Sequence, residues 1–317
     1  MDIQESLGKI REYISTCDWS DPDFTWEKAF VNSVMSNVAY CHIADFELDN
    51  TTNVNLIPSS EYEKSIRSYI ETNVKADIGE LLRSFGIDSE IHVIESQFAI
   101  AAAIRVGEVV FVALRGTEFF NIHDWRANLN ALKASPGVPL LSDARFHKGF
   151  YKCVISFKNR LETAINKRFG ENIYIYVTGH SLGGAMAAIL FGLWCDGYTY
   201  DNFRGFKPSG RNKNYGVVSS YTIGMPRYGN LAAVAHYSNP YHILNSKDIV
   251  PHFPPKYLGY EDGVNIISLD KSLVLRVKYF GYLKYLKSMF SFLALKKLEH
   301  HSIENYVGRI FYEIKNS

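Results

Sequence analysis

The stretch Tyr174-Ile175-Tyr176-Val177-Thr178-Gly179-His180-Ser181-Leu182-Gly183-Gly184-Ala185 is the most informative part of this chain. A β-branched and aromatic run ends in Gly-x-Ser-x-Gly, and small and apolar residues continue over 185–194. This change of pattern predicts a strand, a sharp turn and a helix, with Ser181 at the apex. Glycines two positions to either side leave room for strand and helix to approach closely. The serine backbone is strained in such a turn, which holds its Oγ clear of the main chain.

The composition is that of an ordinary globular protein. The chain has 317 residues, of which 47% are hydrophobic and 21% charged, and its formal net charge is +1. This balance gives no overall electrostatic basis for binding nucleic acid. Four widely separated cysteines form no Cys-x-x-Cys pair, so we expect reduced thiols: Cys17, Cys41, Cys153 and Cys195. No cluster of His, Cys and carboxylate residues suggests a metal, and we expect neither a metal nor an organic cofactor.

Targeting features are not evident in the sequence. The first residues carry acids and no apolar run, which argues against a cleavable signal peptide. No stretch approaches the length of uncharged apolar sequence that a transmembrane helix requires. We therefore expect a soluble protein that is cytoplasmic, or exported without a cleavable signal peptide. The oligomeric state is left open.

Strand and helix patterns alternate along most of the chain. Residues 1–85 have helical periodicity, interrupted by a polar stretch at 49–60, and their simplest role is extra cover for a sheet. Further strands are predicted at 91–94, 98–106, 109–114, 217–223 and 241–244. This alternation predicts an α/β fold with a predominantly parallel central sheet flanked by helices. We predict one domain over 1–317, with a helical N-terminal part (1–85) and a catalytic core (90–317).

A nucleophilic serine needs a base, and the base needs an orienting carboxylate. Asp248 lies in the segment 245–251, which directly follows the strand predicted at 241–244, and open α/β sheets place their sites at such strand ends. The alternative for Asp248 is a turn-forming acid before a proline. Of the downstream histidines, His300 and His301 lie far enough along the chain to return to this edge. Spacing alone does not choose between them.

An oxyanion hole completes this chemistry. The strand predicted at 109–114 ends in the turn Arg115-Gly116-Thr117. The backbone N–H of Thr117, together with that of Leu182 at the start of the predicted helix, is a candidate pair of donors for the developing oxyanion.

Five segments in order resemble the class 3 lipases, the fungal-lipase-like branch of the α/β-hydrolase superfamily. The resemblance covers the chain from about residue 95 onward. The segments are Arg115-Gly116-Thr117, Asp124-Trp125, Gly179-His180-Ser181-Leu182-Gly183-Gly184, Thr222-Ile223-Gly224-Met225-Pro226-Arg227-Tyr228-Gly229-Asn230, and Asp248-Ile249-Val250-Pro251 followed by His301 before Tyr306.

The resemblance implies an esterase acting on acylglycerols or phospholipids. It assigns Ser181 as nucleophile, Asp248 as acid and His301 as base. It favours His301 over His300 because the histidine of the family stands a few residues before an aromatic residue. It also implies that an acid in the lid, here Asp124 beside Trp125, steadies the oxyanion threonine.

Two further segments allow two interpretations each. Ile122, Trp125, Leu129 and Leu132 predict a short amphipathic helix, which is either a lipase lid that turns toward lipid at an interface or an ordinary surface helix. Residues 271–300 contain seven Lys or Arg and one acid. They predict either a basic helix resting on an anionic membrane surface or a partly buried helix whose lysines reach solvent.

The sequence therefore predicts a serine hydrolase of the triacylglycerol lipase or carboxylesterase type. Its substrate is a lipid ester, from which it releases fatty acid through an acyl-enzyme. Three alternatives remain open: a phospholipase A-type hydrolase, an acyltransferase or thioesterase using the same acyl-enzyme, and a non-catalytic lipase-like binding module.

Overall fold

The computed structural model describes residues 3–40, 78–96, 99–116, 133–136, 143–170, 173–195, 215–235, 240–269 and 300–316. The helices are α1 (Ile3–Thr16), α2 (Trp26–Val38), α3 (Ile78–Ser84), α4 (Lys148–Phe169), α5 (Leu182–Cys195), α6 (Leu231–Val234) and α7 (Ile303–Lys315). The strands are β1 (Glu90–Ser96), β2 (Ala99–Val106), β3 (Val109–Gly116), β4 (Lys133–Ala134), β5 (Phe146–His147), β6 (Ile173–His180), β7 (Tyr215–Ile223), β8 (Pro240–Leu244) and β9 (Asn265–Ser268). Two 3₁₀ turns lie at Val250–His252 and Lys256–Leu258.

Seven of these strands form one sheet in the order β1-β2-β3-β6-β7-β8-β9. β1, β2 and β3 pair antiparallel, and every neighbour from β3 to β9 pairs in parallel. β4 and β5 form a separate antiparallel pair. The predicted predominantly parallel central sheet is confirmed, and the carboxyl ends of β3, β6, β7 and β8 therefore lie along one edge.

Helices cover both faces of the sheet. On one face, α4 and α5 pack against inward-facing residues of β3 and β6 such as Val112 and Val177. α5 is apolar almost all round because it lies between the sheet and α4. On the other face, α1, α2, α3 and α7 share a core with Phe111 and Tyr176. The N-terminal helices α1 and α2 therefore cover the sheet, as the simplest interpretation of residues 1–85 holds.

The predicted strands correspond to β1, β2, β3, β7 and β8. Gly107, in the turn between β2 and β3, has a positive φ of 60°. β9 was not predicted. It is a four-residue edge strand, and Ile266 within it is 41% exposed, so its apolar pattern is weak. Several predictions fall outside the described residues: the polar stretch at 49–60, the lid helix at 122–132 with Asp124 and Trp125, the oxyanion residue Thr117, and the basic segment at 271–299.

Among the described residues, none of the helices has the length and apolarity needed to cross a bilayer. Cys17, Cys153 and Cys195 carry thiols that are not part of a disulfide. Burial raises the pKa of Cys153 to about 11, which makes this thiol unreactive near neutral pH. Cys41 lies outside the described residues.

Candidate active site

Ser181 occupies the sharp turn between β6 and α5. Its φ is 56°, and among the described residues no other non-glycine residue has a positive φ. Such a conformation is strained for an L-residue and must be held by its surroundings. The Ser181 N–H donates to the carbonyl of Ile223 in β7 (2.9 Å), and the Ser181 carbonyl accepts from the Gly184 N–H (2.9 Å). The neighbouring strand and the first turn of α5 thus both fix the serine backbone.

The flanking glycines are required by close packing. A Cβ on Gly179 would lie under 3.0 Å from backbone atoms of Gly183, because the helix folds back directly over the end of the strand. A Cβ on Gly183 would meet the carbonyl of Leu114 in β3 even more closely. Backbone atoms cannot move aside as a flexible side chain can. The Gly-x-Ser-x-Gly spacing therefore allows the start of α5 to cross the ends of β6 and β3.

Leu182 begins α5, and the first N–H groups of a helix have no acceptor within the helix. The contact between Gly183 and Leu114 brings this helix start next to the end of β3, the strand that leads to residue 117. The turn therefore offers backbone donors beside Ser181. Thr117 itself lies outside the described residues.

Asp248 lies in the loop after β8, at the same edge of the sheet. Its Oδ2 accepts a hydrogen bond from His301 Nδ1 at 2.6 Å, and both side chains are buried. Its Oδ1 accepts from the Val250 N–H at 2.9 Å, which shapes the turn before Pro251. The two interpretations of Asp248 are thus both realised, since one carboxylate forms the turn and binds the imidazole.

The side chain of His301, rather than that of His300, reaches Asp248. The contribution of His300 is its backbone carbonyl, which accepts a hydrogen bond from Asn245 Nδ2 at 3.1 Å. Ser302 then caps α7 by accepting from the Asn305 N–H at 3.2 Å. The start of α7 therefore presents His301 to the Asp248 loop.

Tyr306, one turn into α7, is part of the same network. Its hydroxyl donates to Asp248 Oδ2 at 2.8 Å and accepts from the Asn245 N–H at 3.0 Å. Burial, reinforced by the charge of Asp248, raises the pKa of Tyr306 well above its usual value. The sequence identifies Tyr306 only as the aromatic residue that follows His301. It does not predict the hydrogen bond from Tyr306 to the carboxylate.

His180, the residue before Ser181, contacts the backbone of His301. Its Nε2 lies 2.7 Å from the His301 carbonyl oxygen, and the centres of the two imidazole rings lie 4.6 Å apart. Burial is the main reason that the pKa of His180 lies well below its usual value, and the nearby His301 lowers it further. Ser181, Asp248 and His301 are therefore brought to one edge of the sheet. Within the described part of the chain, no group of three or more His, Cys or acidic residues is arranged to hold a metal ion.

A serine on a strained strand-to-helix turn, with a buried Asp–His pair at the same edge of a mostly parallel sheet, defines an α/β-hydrolase fold. The class 3 lipase family profile matches residues 111–258, which include most of β3, the serine turn and Asp248. This part of the chain is similar to the class 3 lipases.

Several relatives match about half of the chain. A lipase of Rhizomucor miehei is 32% identical over 160 residues, which make up 48% of this chain and 39% of the relative. A secreted mono- and diacylglycerol lipase of Fusarium solani is 26% identical over 169 residues, 51% of this chain and 44% of that protein. The chain thus spans less than half the length of these relatives. A solved Rhizomucor miehei lipase propeptide complex matches 60% of each chain with 27% identity and a TM-score of 0.46.

Proposed function

We propose that this protein is a lipase that releases fatty acids from acylglycerols through an acyl-enzyme on Ser181. The observation that carries the proposal is the buried Asp248–His301 hydrogen bond at the sheet edge where Ser181 occupies its strained turn. The class 3 lipase match over residues 111–258 and the relatives named as lipases support the same activity.

In the proposed acylation step, His301 acts as the general base. Because its Nδ1 is bound to Asp248, the Nε2 atom is the one that removes the proton from Ser181 Oγ. The oxygen attacks the ester carbonyl carbon and forms a tetrahedral intermediate. The bond to the alcohol oxygen then breaks, and His301 returns the proton to the departing glycerol hydroxyl.

The developing oxyanion is assigned to backbone donors. The Leu182 N–H lies at the start of α5, where the helix leaves its first donors without internal acceptors. Thr117 is proposed as the second donor. One such donor contributes about 10²- to 10³-fold to the rate in serine hydrolases. Water then attacks the acyl-enzyme by the same path in reverse, with His301 as base, and releases the fatty acid.

We also propose that α1 and α2 belong to the same catalytic domain as the rest of residues 1–317. This assignment is supported by Tyr40, just after α2, whose hydroxyl lies 3.2 Å from His180 Nδ1.

The proposed substrate contact is at a lipid–water interface. An interfacial enzyme should show a jump in rate when a short-chain ester exceeds its solubility limit, and a rate that rises smoothly through that limit would remove this part of the proposal.

The activity is tested by fatty-acid release from a monoglyceride, a triglyceride and a phosphatidylcholine, with Ser181→Ala assayed in parallel. We expect serine-dependent release that is faster from the acylglycerols than from the phospholipid. Faster release from phosphatidylcholine would replace the lipase assignment with a phospholipase. Release by the folded Ser181→Ala protein at the wild-type rate would refute the mechanism.

A further inference from the structure

We propose that His180 is a positioning residue for the base: its imidazole holds the backbone of His301 and so fixes the base relative to the neighbouring Ser181. The inference rests on the proposed function, in which His301 is the base. It concerns the variable position inside Gly-x-Ser-x-Gly, to which the mechanism assigns no task.

The geometry of His180 permits one arrangement of hydrogens. The His301 carbonyl oxygen is only an acceptor, so at 2.7 Å the His180 Nε2 atom must carry the proton and donate it. Because burial keeps the imidazole neutral, Nδ1 is then an acceptor. The Tyr40 hydroxyl, 3.2 Å from Nδ1, is therefore the donor of that hydrogen bond.

Tyr40 is itself held in place. Its carbonyl accepts a hydrogen bond from Arg115 Nη1 at 3.3 Å, and the Arg115 guanidinium lies 5.3 Å from the centre of the Tyr40 ring. Arg115 is near the end of β3, so the contacts around His180 connect the residues after α2, the end of β3, the serine turn and the start of α7. His180 itself is only 3% exposed, and water does not readily replace these partners.

This connection matters because the serine and the base come from distant parts of the chain. His180 and His301 are separated by 121 positions, and the hydrogen bond joins the residue next to the nucleophile directly to the backbone of the base. Asp248 orients the ring of His301, whereas His180 holds its main chain. A displacement of about 1 Å in such a pair costs on the order of 10²-fold in rate.

Three substitutions separate the donor from the volume of the ring. His180→Gln places an amide nitrogen close to the position of Nε2 and keeps the donor. His180→Asn ends near the position of Nδ1 and does not reach the carbonyl. His180→Phe fills the space without a donor. His242→Gln is the matched control, because His242 is equally buried but bonds to Thr222 Oγ1 (2.8 Å).

We expect kcat to fall by about 10²-fold in His180→Phe and His180→Asn with little change in KM, and to stay within about 10-fold of wild type in His180→Gln. His242→Gln should keep the wild-type kcat per folded molecule. A second readout is the downfield proton resonance of the His301 Nδ1–H···Asp248 hydrogen bond. It should move or broaden in the Asn and Phe variants and persist in both Gln variants.

The inference would be overturned if His180→Asn and His180→Gln had equal kcat and an unchanged resonance. It would also be overturned if a folded His180→Phe protein kept the wild-type kcat and the wild-type resonance. The Asn and Gln pair decides the matter if the Phe variant does not fold. Failure of the proposed function would look different, because wild type and Ser181→Ala would then release ester products at the same rate. The resonance would still report the link between His180 and His301 in that case.

Discussion

Tyr306 donates a hydrogen bond to the Oδ2 atom of Asp248, the same oxygen that accepts from His301 Nδ1. The carboxylate is thus held from α7 as well as by its own loop, and it is fully buried with both partners. A second donor on one oxygen limits the rotation of the carboxylate, and we expect it to keep that oxygen aimed at the imidazole.

Removing the Tyr306 hydroxyl tests this role. In Tyr306→Phe, Asp248 loses a donor and the buried Asn245 N–H loses its acceptor, so we expect a loss of about 1–3 kcal/mol in unfolding free energy. We also expect kcat to fall by about 10-fold, which corresponds to about 1.4 kcal/mol in the activation barrier. Urea unfolding and ester hydrolysis measure the two effects. Tyr312→Phe is the control, because Tyr312 is on the same helix and 65% exposed. Equal unfolding free energies and equal kcat values for Tyr306→Phe and Tyr312→Phe would contradict the role of Tyr306 in orienting Asp248.

Gly183 should not tolerate even alanine. The added methyl group would overlap the Leu114 carbonyl, and α5 would have to move away from β3, at a cost of about 3 kcal/mol or more. The matched control is Gly308→Ala in α7, where a Cβ meets nothing within 4 Å and the helix should gain up to about 1 kcal/mol. Urea midpoints should therefore move in opposite directions, and a shift in the same direction would show that the close approach is absent.

The buried ion pair within α4, whose carboxylate also accepts a hydrogen bond from Trp194 of α5, should be sensitive to loss of one partner. Glu162 Oε1 binds Lys158 Nζ at 2.5 Å and accepts from Trp194 Nε1 at 2.7 Å. In Glu162→Ala the buried ammonium loses its carboxylate, and we expect a cost of about 3–5 kcal/mol. The exposed pair Lys9–Glu12 provides the comparison, since Glu12→Gln should cost at most about 1 kcal/mol. Equal costs in chemical denaturation would refute this distinction.

His147 should make stability depend on pH in mildly acidic solution. Burial lowers its pKa to about 4, whereas an unfolded histidine titrates near about 6.5. The unfolded chain therefore binds more protons, so stability is present above about pH 6.5 and is lost as the pH falls toward 4. His147→Asn keeps a capping side chain at the start of α4 and should reduce the slope by up to about 1.4 kcal/mol per pH unit. An unchanged slope would show that His147 titrates normally.

Much of the fold was predictable because its main features are local in sequence. The switch from an alternating to a small-residue pattern around Ser181 predicts β6 and α5, whose observed bounds are Ile173–His180 and Leu182–Cys195. Asp248 could be singled out because a carboxylate in the loop after a parallel strand lies at the sheet edge. The short edge strand β9 lacks such a pattern and was missed.

The supporting network of the site was not predictable for a physical reason. Tyr40, His180 and His301 are separated by 140 and 121 positions, and their contacts depend on how helices settle on the sheet. Tyr306 likewise reaches Asp248 from 58 positions away. The sequence shows which residue types are present and how they are spaced. The direction of a side chain between two packed layers, however, depends on how all the helices pack on the sheet.

The most direct test of the central claim is covalent trapping of the nucleophile. A lipid-like phosphonate ester incubated with the protein should add one group per chain, and peptide mass spectrometry should locate it on Ser181. His301→Ala should slow the addition by several orders of magnitude, because the serine then lacks its base. Modification of Ser181→Ala at the wild-type rate, or an adduct on any other residue, would contradict the account.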